Sequence, residues 1–173
     1  MDLAKQHIDI GLYTNQREEQ LAFWQVEIGL EFDHVGKLGG GVHQLRHHMN
    51  GSILKINHAR DPLPDLAPSG YRRLLIAKPD LTEVQSLSDP DGNAVDLVPM
   101  GHKGVLGIGI EIAVSDLAAA KAYWVYALQF QAGDNDTVIA GDTVLFLKQD
   151  DSVKPTPDDK NAPGYRSPTG QIH

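Results

Sequence analysis

The chain repeats one pattern of residues at a spacing of 100 positions. Residues 7–30 (HIDIGLYTNQREEQLAFWQVEIGL) align without a gap with residues 107–130 (GIGIEIAVSDLAAAKAYWVYALQF). Each copy opens with alternating apolar residues, which is typical of a half-buried strand, and continues with apolar residues three and four positions apart, which is typical of an amphipathic helix. Trp24 and Trp124 follow another aromatic residue at the same place in the two copies. The repeat therefore predicts two strand–helix units related by internal duplication.

Turn signals divide the rest of the chain into short strands. After the first helix, strands are predicted at 31–35, 42–49 and 52–57, with a hairpin turn at Asn50 and Gly51, so the first unit has the order β-α-β-β-β. The stretch from Tyr71 to Ala77 is a further strand, and the turn DPDGN (89–93) precedes another at 94–98. In the second copy, strands are predicted at 137–140 and 143–148.

The two copies define two repeats of unequal content. We assign residues 1–101 to the first repeat and residues 102–173 to the second. The second has no counterpart of the strand that follows DPDGN, so we interpret it as incomplete at its C-terminal end. An unpaired sheet edge favours pairing with another chain, and we therefore expect a homodimer.

Charge and composition exclude several functions. The 173 residues include 15 basic and 23 acidic ones, a net charge of −8, which disfavours nucleic acid as a partner and is compatible with a small, cationic ligand. Cysteine is absent, so disulfides and thiolate metal ligands are excluded. We do not expect the first residues to be a signal peptide, and no apolar run is long enough to span a membrane. We predict a soluble, cytoplasmic protein that acts on a small molecule and binds neither nucleic acid nor membrane.

The repeated unit and the motif DPDGNAVDL (89–97) resemble the vicinal oxygen chelate superfamily, which includes glyoxalase I, extradiol dioxygenases, and fosfomycin and bleomycin resistance proteins. The resemblance covers roughly residues 5–150. It implies an α+β fold of duplicated βαβββ modules whose curled mixed sheets form a half-open cup around the ligand.

The resemblance also implies a metal site. Metal enzymes of this superfamily place a His on the first strand of a module and an acid on the strand after the DPDGN turn, and these positions correspond to His7 and Asp96. His58 is the third candidate ligand. Imidazole and carboxylate donors suit iron, manganese, zinc or nickel. A usual third position carries Arg73, which cannot bind a metal ion, so we predict a divalent metal that is weakly bound or absent in the purified protein.

The sequence leaves the function open between three hypotheses. The first is a divalent-metal-dependent enzyme, of the lyase, isomerase or ring-cleaving dioxygenase type, acting on a small oxygenated substrate. The second is a metal-free protein of the bleomycin-resistance type that binds a small molecule or antibiotic. The third is a duplicated scaffold that has lost its chemistry. Arg73 and Tyr71 are the predicted substrate-binding residues, since an arginine can clamp an anionic substrate; its alternative role is to cover the sheet.

Overall fold

The computed structural model describes residues 6–64, 70–153 and 164–166. Most of the regular elements in this part of the chain are strands: β1 (Ile10–Thr14), β2 (Glu31–Gly39), β3 (Val42–Met49), β4 (Ser52–Ala59), β5 (Tyr71–Lys78), β6 (Gln85–Ser88), β7 (Ala94–Pro99), β8 (Ile108–Val114), β9 (Gln131–Ala132), β10 (Thr137–Ala140), β11 (Thr143–Gln149) and β12 (Gly164–Arg166). Helix α1 (Arg17–Leu21) continues as a π-helical segment (Ala22–Glu27), α2 (Leu117–Ala122) continues in the same way (Tyr123–Ala127), and a 3-10 turn covers His102–Gly104. None of the helices in these ranges is long and apolar enough to cross a membrane.

Two mixed sheets organise the strands. Sheet A has the order β12-β1-β4-β3-β2, and sheet B has the order β6-β7-β5-β8-β11-β10-β9. Sheet A contains the unit β1-α1-β2-β3-β4, and sheet B contains the unit β8-α2-β9-β10-β11. In each unit the first strand lies parallel to the last. The predicted α+β fold with duplicated βαβββ units is therefore confirmed, while the half-open cup stays a prediction.

Strands β5, β6 and β7 belong to the sheet of the second unit, although they follow the first unit in the chain. Strand β5 pairs antiparallel with β8 and parallel with β7. Strand β12 occupies the corresponding place beside β1 in sheet A. The strand after DPDGN thus extends the very sheet that was expected to lack it. The division into 1–101 and 102–173 stays a description of the sequence repeat, and residues 154–163 and 167–173 of its second part lie outside the described residues.

One main apolar core joins both sheets and both helices. Strand β5 directs Leu74 and Ile76 into it, and Trp24 on the first helix is fully buried there. The other face of sheet B, which we call the outer face, carries a separate small apolar cluster. Its buried members are Leu75, Ala77, Val98, Val105 and Val144. Because side chains alternate along a strand, charged residues on β5, β7, β8 and β11 reach this outer face.

The DPDGN turn fastens sheet B to the helix of the first unit. The buried carboxylate of Asp89 accepts hydrogen bonds from the backbone N–H of Asp91 at 3.0 Å, from the backbone N–H of Asn93 at 2.8 Å and from the side-chain amide of Gln20 at 3.1 Å. The amide oxygen of Gln20 in turn accepts from the indole N–H of Trp24 at 2.7 Å. Burial raises the pKa of Asp89. The turn of the motif that suggested a functional site is thus a structural contact between sheet B and helix α1.

The two helices end in the same way, as the duplication predicts. The backbone N–H of Leu30 donates to the carbonyl of Trp24 at 2.8 Å, and the equivalent bond in the second unit is 3.0 Å. The chain reverses at Gly29 with φ of 76° in one unit and at Gln129 with φ of 56° in the other. Glycine adopts this left-handed conformation without a steric cost, whereas glutamine does not.

We expect Gln129→Gly to raise the free energy of unfolding by about 0.5–1 kcal/mol. A side chain in the left-handed region costs about 1–2 kcal/mol, part of which is offset by the larger unfolded-state entropy of glycine. Denaturant titration measures the change, and Gly29→Gln is the matched variant, expected to lose a similar amount. A Gln129→Gly protein that is less stable than the parent would contradict this view of the helix ends.

Candidate functional site

His7, a predicted metal ligand, forms a hydrogen bond between the two repeats. Its Nδ1 lies 2.5 Å from Oδ2 of Asp142, in the turn between β10 and β11, and both side chains are somewhat more than one-third exposed. The imidazole also lies against Gly51, where a Cβ atom would be 2.7 Å from its Cε1. His7 therefore connects the start of the first unit to two hairpins, one from each sheet.

Asp96, the predicted carboxylate ligand, is bonded to Arg73. Its Oδ1 accepts a hydrogen bond from Nη1 of Arg73 at 2.6 Å, and the Asp96 side chain is only 14% exposed. A guanidinium that close neutralises the carboxylate and would repel a cation. The Asp96 carboxylate, which was predicted to bind a metal ion, is thus already paired with an arginine of the same sheet.

His58, the third candidate ligand, lies at the far end of sheet A from His7. It is paired with Thr14 on β1 and with His43 on β3. Seven residues separate His7 from Thr14, which corresponds to on the order of 20 Å along an extended chain. Burial, then the positive charges of Arg17 and His43, lower the pKa of His58. His7 and His58 are therefore too far apart in this structure to bind the same metal ion.

The structure does not bring the predicted ligands His7, Asp96 and His58 together, and their role as metal ligands stays a prediction. One residue pairs with a carboxylate, one pairs with a guanidinium, and the third lies at the opposite end of its sheet. Within the described ranges, no group of three or more His, Asp or Glu side chains is placed to hold a metal ion. A divalent metal held by these three residues does not fit the structure.

The outer face of sheet B carries a row of alternating charges. Asp96 on β7 pairs with Arg73 on β5, Arg73 lies opposite Glu111 on β8, and Oε2 of Glu111 is 2.5 Å from Nζ of Lys148 on β11. Each charge has an opposite charge beside it, which offsets the cost of holding ions partly out of water. The four side chains come from four neighbouring strands and form one charged row.

A cavity of about 450 Å³ lies over three members of this row, Arg73, Glu111 and Lys148. Its lining consists of Arg72, Arg73, Glu111, Ala113, Lys148, Gln149 and Asp150. Asp150 lies 3.5 Å from the guanidinium of Arg72, and hydrogen bonds from Ser152, followed by the charge of Arg72, lower the pKa of Asp150. The lining thus holds three cationic and two anionic side chains, an excess of one positive charge.

Of the two predicted substrate-binding residues, Arg73 lines this cavity and Tyr71 packs against the main core. The pairing of β5 with β8 is irregular between these two residues, which breaks the alternation that would put both side chains on one face. The guanidinium of Arg73 has five N–H donors, of which Asp96 accepts one among the described residues. Donors therefore remain for a ligand, and the substrate-binding role of both residues stays a prediction.

Sequence reasoning missed Glu111, Lys148 and Asp150. Glu111 is the sole charge in the apolar strand IGIEIAV, and Lys148 follows the apolar run TVLFL. A charge within an otherwise buried strand is a signal that the sequence did contain. Sheet A holds a similar pair, since Nζ of Lys55 lies 3.0 Å from Oδ2 of Asp9 and both side chains are almost buried.

Comparison with solved structures finds the same fold in several proteins. Glyoxalase I from Zea mays has a TM-score of 0.65 and 12% identity, over 85% of this chain and 68% of that one. A mutant of the same enzyme has a TM-score of 0.66 and 13% identity, over 85% and 69%. A candidate dioxygenase from Bacillus subtilis has a TM-score of 0.63 and 13% identity, over 87% and 66%. No family model and no curated protein matches the chain. The fold that the resemblance implied is thus confirmed.

We expect His7→Ala to lower the free energy of unfolding by less than about 1 kcal/mol, because partly exposed ion pairs contribute little. We also expect the metal content of the purified protein to be unchanged, because the partner of His7 is Asp142. Denaturant titration and elemental analysis measure the two effects, with Asp142→Asn as the matched variant. Loss of a stoichiometric ion from His7→Ala alone would contradict the assigned role.

Proposed function

We propose that this chain, which has the fold of glyoxalase I, binds a small carboxylate-bearing molecule on the outer face of sheet B without a metal ion. One observation carries the proposal: the predicted binding residue Arg73 and the predicted metal ligand Asp96 are bonded to each other at 2.6 Å in a charged row beneath a cavity. Of the hypotheses that the sequence leaves open, this is the metal-free small-molecule binding protein.

The charged row is suited to a carboxylate. Arginine presents planar donors that match the two oxygens of a carboxylate, and lysine adds a compact positive charge. Asp96 orients Arg73, and Glu111 orients Lys148, before any ligand arrives. Such preorganisation reduces the side-chain entropy that binding would otherwise cost. The cavity volume of about 450 Å³ lies in the range of small-molecule sites.

Local charge at this site differs from the charge of the whole chain. The protein has a net charge of −8, yet this site is balanced: with Asp96, the bonded partner of Arg73, it holds three cationic and three anionic side chains. The two acidic side chains of the lining are Glu111, paired with Lys148, and Asp150, paired with Arg72. A monoanion fits this balance better than a dianion, because a second negative charge would face both carboxylates.

The metal-dependent enzyme remains the second candidate function. It is favoured by the likeness of fold to glyoxalase I and to the candidate dioxygenase. A fold hosts many functions, so this support is weaker than support from the site itself. In this second candidate Asp96 would bind a metal and would have to release Arg73. The two candidates therefore predict opposite effects of removing the charge of Asp96.

We expect Asp96→Asn to raise the affinity for hexanoate by about three- to tenfold. The amide oxygen of asparagine can still accept a hydrogen bond from Arg73 and keep it oriented, whereas the guanidinium loses its competing anionic acceptor. Calorimetric titration of the full chain in buffer with EDTA measures the affinity. Asp61→Asn is the control, since it makes the same change at the exposed pair with Arg60, where the two side chains are 2.9 Å apart. We expect the control to bind as the parent does.

The opposite result would favour the enzyme. Carboxylate binding that requires an added divalent ion, and that Asp96→Asn abolishes, would contradict the metal-free proposal and would assign Asp96 to a metal.

A further inference from the structure

We infer that the ligand is an amphipathic acid, in which the carboxylate is joined to an apolar body as large as that of hexanoate or 3-phenylpropionate. This inference rests on the proposed function, since it assumes that the carboxylate lies on the charged row. It adds a second binding surface, which is a neighbouring cavity whose lining is more apolar.

The second cavity lies on the same face of sheet B and has a volume of about 610 Å³. Its apolar side chains come from β10 and β11, where Ile139, Val144 and Phe146 line it. The loop 133–137 and the 3-10 turn that contains Lys103 and Gly104 line the rest. Phe146 also packs against the small apolar cluster of the outer face. The cavity thus continues an apolar surface that the sheet already has.

Lys148 lines both cavities. Val144, Phe146 and Lys148 are alternate residues of β11, so their side chains reach the same face at intervals of about 6.6 Å. Phe146 lies directly opposite Glu111, the partner of Lys148. The cationic group and the apolar surface are therefore adjacent on one strand, at a spacing that one small molecule can bridge.

Gly109 provides the room for the aromatic ring of this surface. A Cβ atom at Gly109 would lie 2.9 Å from Cε2 of Phe146 and 2.9 Å from a methyl carbon of Val105. Because glycine has no side chain, the ring of Phe146 lies over β8 beside the charged row. Gly109 thus makes room for the ring of Phe146 next to Glu111 on the outer face, and the apolar part of a ligand can be buried against this ring.

The test compares acetate, butyrate, hexanoate and octanoate as ligands of the full chain, with calorimetry for the stronger ligands and displacement of hexanoate for the weaker. We expect the affinity to rise about three- to fourfold for each added methylene, which is ~0.8 kcal/mol, until the apolar cavity is filled. The change in heat capacity on binding should become more negative along the same series, and this measurement needs no variant protein. 1-Hexanol, which lacks the carboxylate, should bind more weakly than hexanoate.

Variants then locate the apolar body. Phe146→Ala should reduce the gain per methylene while acetate binding stays unchanged, and Ile139→Ala provides a second variant if the first is poorly folded. Tyr126→Ala removes an aromatic side chain that is 80% exposed on the second helix, and it should bind every acid as the parent does.

Each other result overturns a different claim. Equal affinity for acetate and hexanoate, with the same change in heat capacity on binding, would contradict an amphipathic ligand but would still agree with the carboxylate site. An unchanged gain per methylene in both Phe146→Ala and Ile139→Ala would place the apolar body elsewhere and also overturn the inference. Failure of every acid to bind would overturn the proposed function itself.

Discussion

The antiparallel pairing of β5 with β8 is the contact on which the candidate site depends. It attaches β5, β6 and β7 to the second βαβββ unit and so builds a seven-stranded sheet. It also sets Arg73 opposite Glu111, which brings the pairs Arg73–Asp96 and Glu111–Lys148 into one row. A shift of β5 by one residue along β8 would turn Arg73 toward the main core, where an unpaired ion is costly. The buried side chains of Leu74 and Ile76 oppose such a shift.

Contacts between the two repeats are reciprocal. The side-chain amide of Asn50, in the hairpin of the first unit, donates to the carbonyl of Gly107 at 2.9 Å, at the start of the second unit. Asp142, in the hairpin of the second unit, pairs with His7 at the start of the first. Within the first repeat, the buried turn at Asp89 also joins sheet B to helix α1, through Gln20. His7 and the DPDGN turn, which the sequence singled out as functional, therefore connect sheet B to the first βαβββ unit. These contacts support sheet B, which carries the charged row on β5, β7, β8 and β11.

Local patterns predicted the elements of this fold, and long-range pairing lay beyond them. The apolar periodicity of residues 7–30 and 107–130 reports on the buried face of each element, so the duplication and the βαβββ order followed directly. The partner of a strand or of a charge is not encoded in its neighbours. His7 meets Asp142 across 135 positions, and Asp96 meets Arg73 across 23, so their roles as ion-pair partners appeared only in the structure. The position of Glu111 within an apolar strand could have indicated a functional residue, but the sequence did not indicate that Lys148 is its partner.

The central claim is that the outer face of sheet B binds a carboxylate without a metal ion, and a nitrogen-15 NMR titration tests it most directly. The protein is depleted of metal, kept in EDTA and titrated with 3-phenylpropionate. The account predicts saturable shifts of backbone amides confined to the facing stretches of β5, β8 and β11, centred on Arg73, Glu111 and Phe146. Shifts centred on His7 and His58, or shifts that appear only after a divalent ion is added, would contradict it.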